Sequence, residues 1–152
     1  MVTWLLGDPA AHLVPGVRDF DFFELSEDRI AWSAGNGNGG PTGTRTWGAD
    51  EADSTTLTTA VSGWEIAVSG DTVAYPTSEN GFLSLLRWTE GDAAAETVWS
   101  IPLGYTRDYD LAPLLSGNRI IFGGNYYLEQ PVGEGEDAIY DGDTGLLLAT
   151  RR

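Results

Sequence analysis

Cysteine and lysine are both absent from the 152 residues, and histidine occurs once. Without cysteine there is no disulfide framework, no thiolate metal site and no cysteine nucleophile. A catalytic or metal-binding role for the single histidine, His12, would need convergent partners, so the residue is expected simply at a strand surface. No Gly-x-Ser-x-Gly elbow is present, which removes the nucleophile turn of a serine hydrolase. Apolar runs are too short for a spanning helix, and Met1–Asp8 has neither the basic start nor the apolar stretch of a signal peptide. These absences together lead to the expectation of a soluble, non-enzymatic protein without cofactor or metal. They leave its compartment open, with an extracellular, envelope or virion setting all compatible.

Positive charge is scarce too. The 8 basic residues are all arginine and face 23 acidic ones, for a net charge of -15. Such a field repels nucleic-acid phosphates and anionic headgroups, so nucleic acid and membrane insertion are excluded as expectations. A salt-adapted proteome and a GC-rich genome would each produce this composition.

What is abundant is β-forming sequence arranged in repeats. With 41% hydrophobic and 11% aromatic residues the chain is globular, and its length is that of one ordinary domain. Three segments match: Ser26-Glu27-Asp28-Arg29-Ile30-Ala31-Trp32, Ser69-Gly70-Asp71-Thr72-Val73-Ala74-Tyr75 and Ser116-Gly117-Asn118-Arg119-Ile120-Ile121-Phe122. From Ser26 to Ser69 is 43 residues and from Ser69 to Ser116 is 47, periods typical of a propeller blade. Each segment is preceded by a short apolar stretch (Phe20–Leu25, Trp64–Val68, Leu111–Leu115), so each unit opens with a tight hairpin of strands A and B.

A second series interleaves with the first. An aromatic strand end runs into a Gly/Asp turn at Trp4–Asp8, Trp47–Asp50, Trp88–Asp92 and Tyr140–Asp143, and a further strand follows each time. The turn aspartates Asp8, Asp50, Asp92 and Asp143 are 42, 42 and 51 residues apart. These hairpins supply strands C and D. The pattern predicts fourteen strands: C-D over 1–17, then A-B-C-D blades over 18–60, 61–103 and 104–152. The B strands are apolar on both faces, as a sheet covered on both sides requires, while outer strands such as Ser54–Thr59 are more polar. The fold class expected is therefore all-β, made of antiparallel four-stranded β-propeller blades, about three and a half of them. A β-sandwich has similar strands but no such period.

The run Leu25–Trp32 and its two copies, with Tyr140-Asp141-Gly142-Asp143-Thr144-Gly145, resembles the bacterial and archaeal TolB-like propeller repeats. The Asp-x-x-Thr-Gly turn is also similar to quinoprotein-type repeats, and the tryptophan-aspartate signature of WD-repeats is missing. The resemblance spans nearly the whole chain and implies a fold rather than an activity, because such families include binding scaffolds, sensor ectodomains and non-catalytic caps of peptidases.

Among candidate sites, Asp141–Gly145 has two carboxylates but lacks the spaced ligands and closing glutamate of a calcium loop, so it reads as a tight turn. Ser33–Thr44 is glycine-rich without the Lys-Ser/Thr of a phosphate loop and reads as a flexible B–C connection. Arg18 and Arg107 sit in similar Arg-Asp-aromatic-Asp runs between blades, where an arginine suits either an anionic ligand at a channel mouth or a register-fixing ion pair. The B–C loop expected over 124–137 carries Tyr126 and Tyr127. With Tyr105, Arg18 and Arg107 these form the candidate binding surface on one rim. The function expected is a non-enzymatic protein-binding or assembly module, since an open arc of blades leaves apolar faces at both ends. A hydrolase cap or fragment and a glycan or small-ligand sensor are the alternatives.

Overall fold

The computed structural model describes residues 2–3, 11–17, 20–35, 41–62, 65–102, 110–117, 119–129 and 140–150, with side chains placed in β13 as far as Phe122 and not in β14. Among them every regular element is a strand, and every pairing is antiparallel. β1 (Val2–Thr3) and β2 (His12–Leu13) form a leading hairpin. The first sheet is a meander of β3 (Phe20–Ser26), β4 (Arg29–Gly35), β5 (Pro41–Gly48) and β6 (Thr55–Thr58). In the middle sheet, β9 (Thr72–Glu79), β10 (Phe82–Thr89) and β11 (Glu96–Pro102) are edged by two short pieces, β7 (Val61–Ser62) and β8 (Ala67–Ser69), both paired to β9. The last sheet consists of β12 (Asp110–Ser116), β13 (Arg119–Glu129) and β14 (Tyr140–Thr150).

The A–B hairpins form where the repeat predicts them. Ser26 pairs with Arg29, Ser69 with Thr72 and Ser116 with Arg119, each across a two-residue turn. The first turn residue has positive φ in all three: Glu27 at 51°, Gly70 at 53° and Gly117 at 57°. Glycine adopts that conformation without steric cost; Glu27 bears about 1 kcal/mol or more for it. Inside each of the first two sheets, the turn is tied to the C–D turn by a backbone bond, Ala49 N–H to Asp28 O at 2.8 Å and Glu90 N–H to Asp71 O at 3.0 Å. Tryptophan shapes the C–D turn itself: Trp47 Nε1 donates to Glu51 O at 2.8 Å, and Trp88 Nε1 to Asp92 O at 3.1 Å.

Alternation along the B strands sends their side chains to two faces, and both faces are covered. Ile30 and Trp32 of β4 face backward to Val14 and Trp47, whereas Ala31 faces forward into a cluster with Ile66, Val73, Tyr75 and Trp88. One sheet later the same assignment recurs. Val73 and Tyr75 face backward into that cluster, and Ala74 faces forward to Leu83, Leu85, Ile120 and Phe122. Trp99 closes this second junction against Phe122, with ring centroids 5.8 Å apart and planes tilted by 56°. Consecutive sheets thus stack face to face in chain order. The leading segment is clamped on the first sheet by a bond from Arg45 Nη1 to Gly16 O at 3.2 Å. A Cβ at Gly16, whose φ is 76°, would stand 2.8 Å from Arg45 Nη1 and Ser54 Oγ.

Three expectations are corrected. Fourteen strands are present among the described residues, but their partition differs, because the middle A strand is split and the last sheet has three strands instead of four. Asp141–Gly145 is not a C–D turn: it lies within β14, where Asp141, Gly142, Asp143, Thr144 and Gly145 pair with Leu128, Tyr127, Tyr126, Asn125 and Gly124. The physical reason is that β13 continues unbroken to Glu129 and offers a backbone partner along that whole stretch, which outweighs local turn preference. The glycine-rich connection is also shorter than Ser33–Thr44, since Ser33 pairs with Thr44 and Gly35 with Pro41.

Leu85 is wholly buried at the second junction, and Leu114 is 67% exposed. Leu85→Ala is therefore expected to lower unfolding free energy by about 2–5 kcal/mol and Leu114→Ala by no more than about 0.5 kcal/mol in urea titrations. Burial pushes the Tyr75 hydroxyl up to about 12. The unfolded group ionises near 10, so its stabilising effect is intact below pH 10 and is lost between pH 10 and 12. Tyr75→Phe should flatten the fall in stability over that window, measured by denaturation at several pH values.

Candidate interaction surfaces

Two junctions inside the chain show what one sheet requires of the next. Besides the apolar contact, each has a hydrogen bond from the turn glycine of the following sheet to the serine that ends the A strand of the preceding one. Gly70 N–H donates to Ser26 Oγ and Gly117 N–H to Ser69 Oγ, both at 3.2 Å. Each such bond contributes on the order of 1 kcal/mol and fixes how far one sheet slides over the other.

The first junction adds a buried cation. Arg29 follows the turn on β4 and lies on the forward face with Ala31, so its guanidinium reaches the middle sheet. Nη2 meets Glu51 Oε1 of its own sheet at 3.0 Å and pairs with Glu90 Oε2 of the next. Nη1 donates to Thr46 Oγ1 at 3.4 Å, and the guanidinium lies over the Trp88 ring at 5.5 Å. The planar, weakly hydrated guanidinium suits this site between carboxylate and ring better than an ammonium would. Nothing in the sequence pattern marked Arg29 as more than a turn-following residue; its buried charge is visible only once Glu90 is brought across.

At the two ends the same faces have no sheet against them among the described residues. The position after the turn that is buried as Ala31 and Ala74 is Ile121 in the last sheet, where it is 37% exposed beside its cross-strand partner Leu114. Ser116 and Arg119, equivalent to Ser26 and Arg29, are exposed as well. At the opposite end, Leu25 corresponds to Val68 and Leu115, which pack into the two junctions, yet Leu25 is 54% exposed. The leading segment covers Trp32 and Trp47 of that backward face through Val14 and leaves the β3 edge open.

Of the predicted rim residues, Arg18, Tyr105 and Arg107 lie outside the described residues. Tyr126 and Tyr127 are placed in β13 opposite Asp143 and Gly142, not in a connecting loop, and their side chains are outside the described set. His12 pairs with Thr3 in the leading hairpin. A cleft of about 300 Å³ runs along the middle sheet beside the Asn80-Gly81 turn and is lined by Thr77, Phe82, Ser84 and Ser100 among others. Its two serine hydroxyls bond one another at 2.9 Å. Among the described residues there is no group of three or more His, Asp or Glu that could hold a metal, and no helix long and apolar enough to cross a membrane.

No protein-family model matches the chain, and no curated protein matches it.

Arg29→Ala is expected to cost about 3–5 kcal/mol, because it strands Glu51 in a partly buried site and removes the packing on Trp88. Glu90, whose side chain is 45% exposed, can be satisfied by water, so Glu90→Gln should cost no more than about 1 kcal/mol. Chemical denaturation of the two variants side by side checks this ranking.

Proposed function

We propose that this chain is a non-enzymatic association module built of propeller-type blades, about three and a half of them. Its working surfaces are the two open ends of the stack rather than a catalytic pocket. The observation that carries this reading is that the ends expose apolar side chains: on one side Leu25, whose counterparts Val68 and Leu115 pack into the internal junctions, and on the other Ile121, the counterpart of buried Ala31 and Ala74, with Leu114 beside it. Contiguous apolar surface on a strongly acidic protein is costly unless something covers it. Face-to-face stacking of consecutive antiparallel meanders, each covering the next, supports the propeller reading over a sandwich, in which two sheets alone would share a core. The resemblance to TolB-like repeats points the same way. Protein partners fit an apolar end face; nucleic acid does not fit a surface of net charge -15.

A photo-reactive aromatic residue introduced at Leu25, at Leu114 and, for comparison, at the exposed outer-strand Thr55 tests this in extracts of the source cells. Discrete adducts should form at the two end positions and not at Thr55. Equal labelling at all three, or labelling at Thr55 alone, would sink the assignment of the end faces.

A further inference from the structure

We infer that the occupant of each open end is a second copy of this chain, joined head to tail: the forward face of the last sheet of one copy packs on the β3 edge of the first sheet of another. This rests on the association reading above and specifies its partner. The argument is continuity with the junctions already inside the molecule. Twice within the chain, a forward face bearing one residue of the B strand and the serine of the A strand receives a backward face bearing residues of the next A and B strands. The components are Ala31 and Ser26 against Val68, Val73 and Tyr75, then Ala74 and Ser69 against Leu115, Ile120 and Phe122.

The two ends keep part of that joint uncovered: Ile121, Leu114 and Ser116 on the forward side, and Leu25 with the Glu27 turn on the backward side, where Ile30 and Trp32 already lie under the leading segment. The Glu27 backbone, at φ 51°, has nearly the conformation that aims the Gly70 and Gly117 N–H groups, 53° and 57°, at their serines. It therefore offers its N–H in the same sense to Ser116 Oγ of another copy.

Charge is complementary as well. Arg119 stands on the forward face two residues before Ile121, at the position from which Arg29 reaches the acidic C–D turn of the next sheet. On the first sheet the counterpart of Glu90 is Ala49, and the acidic residue nearest that position is exposed Asp50, one residue further along the turn. Two forward ends would bring Arg119 against Arg119, and two backward ends would bring carboxylates together, so a heterologous joint is favoured over a two-fold one. Such joints close into rings when the rotation between copies permits.

Analytical ultracentrifugation of the purified chain and of Leu114→Asp and Leu25→Asp decides the matter. Both residues are exposed, so circular dichroism should show both variants folded. The wild type should sediment as two copies or more of the 16.3 kDa chain. Each variant alone should associate at least about tenfold more weakly, equivalent to about 1.4 kcal/mol. An equimolar mixture of the two variants should recover a species that stops at two copies, because one intact forward end and one intact backward end remain. A wild type that is monomeric at every concentration overturns the inference; if adducts to another protein still form at Leu25 and Leu114, the association reading survives without it. Association that persists in either single variant also overturns it, because a two-fold joint uses only one kind of end.

Discussion

The B strands of the first two sheets are apolar on both faces, and a strand of that kind is stable only when something covers each side. The B strand shows how the requirement is met. Two large residues, Ile30 and Trp32 or Val73 and Tyr75, are directed backward, and between them one small residue, Ala31 or Ala74, is directed forward. A small forward residue makes room for the large backward pair of the next sheet, so the backbones approach without voids. Reversing the order of sizes would place bulk against bulk at one junction and leave a cavity at another. Chain order, stacking order and the direction of the stack follow from that asymmetry.

The polar groups of the junctions obey the same direction. Ser26 and Ser69 accept from turn glycines ahead of them, and Arg29 extends forward to Glu90. Taken singly these contacts are modest: a hydroxyl acceptor, or the half-exposed Glu90 on the buried Arg29, is worth about 1 kcal/mol or less. Their effect is on register. Apolar faces slide over one another at little cost, whereas a serine that must meet one particular N–H fixes the offset between sheets.

How much of this was legible in the sequence depended on whether the signal was periodic or local. The three Ser-turn-β-β-aromatic segments recur at blade-sized spacing and located β3–β4, β8–β9 and β12–β13 correctly, because tight turns and two-faced strands leave their mark within ten residues. The tryptophan-led C–D turns at Trp47 and Trp88 were equally readable. Asp141-Gly142-Asp143-Thr144-Gly145 has the same local chemistry and yet lies in a strand, since the length of β13, not the composition of β14, decides whether a partner is available there. The same extension of β13 carries Tyr126 and Tyr127 out of the loop in which composition alone placed them. Arg29 was hidden for a different reason: its burial depends on Glu90, sixty-one residues away, and no local pattern announces such a partner.

The acidity of the chain bears on where association can occur. A net charge of -15 repels a like molecule over roughly the Debye length, about 8 Å in physiological salt, so contact must be made where carboxylates are few and apolar area is concentrated. Strand alternation provides that separation at the backward end: Glu24 pairs with Ala31 and therefore points forward, while Leu25 pairs with Ile30 and points out. At the forward end, Leu114 and Ile121 are cross-strand partners with Arg119 close by, and neither of the two is acidic. The pleat that builds the core thus also sets Leu25 and Glu24 on opposite faces of β3, and it places Leu114 and Ile121 directly side by side.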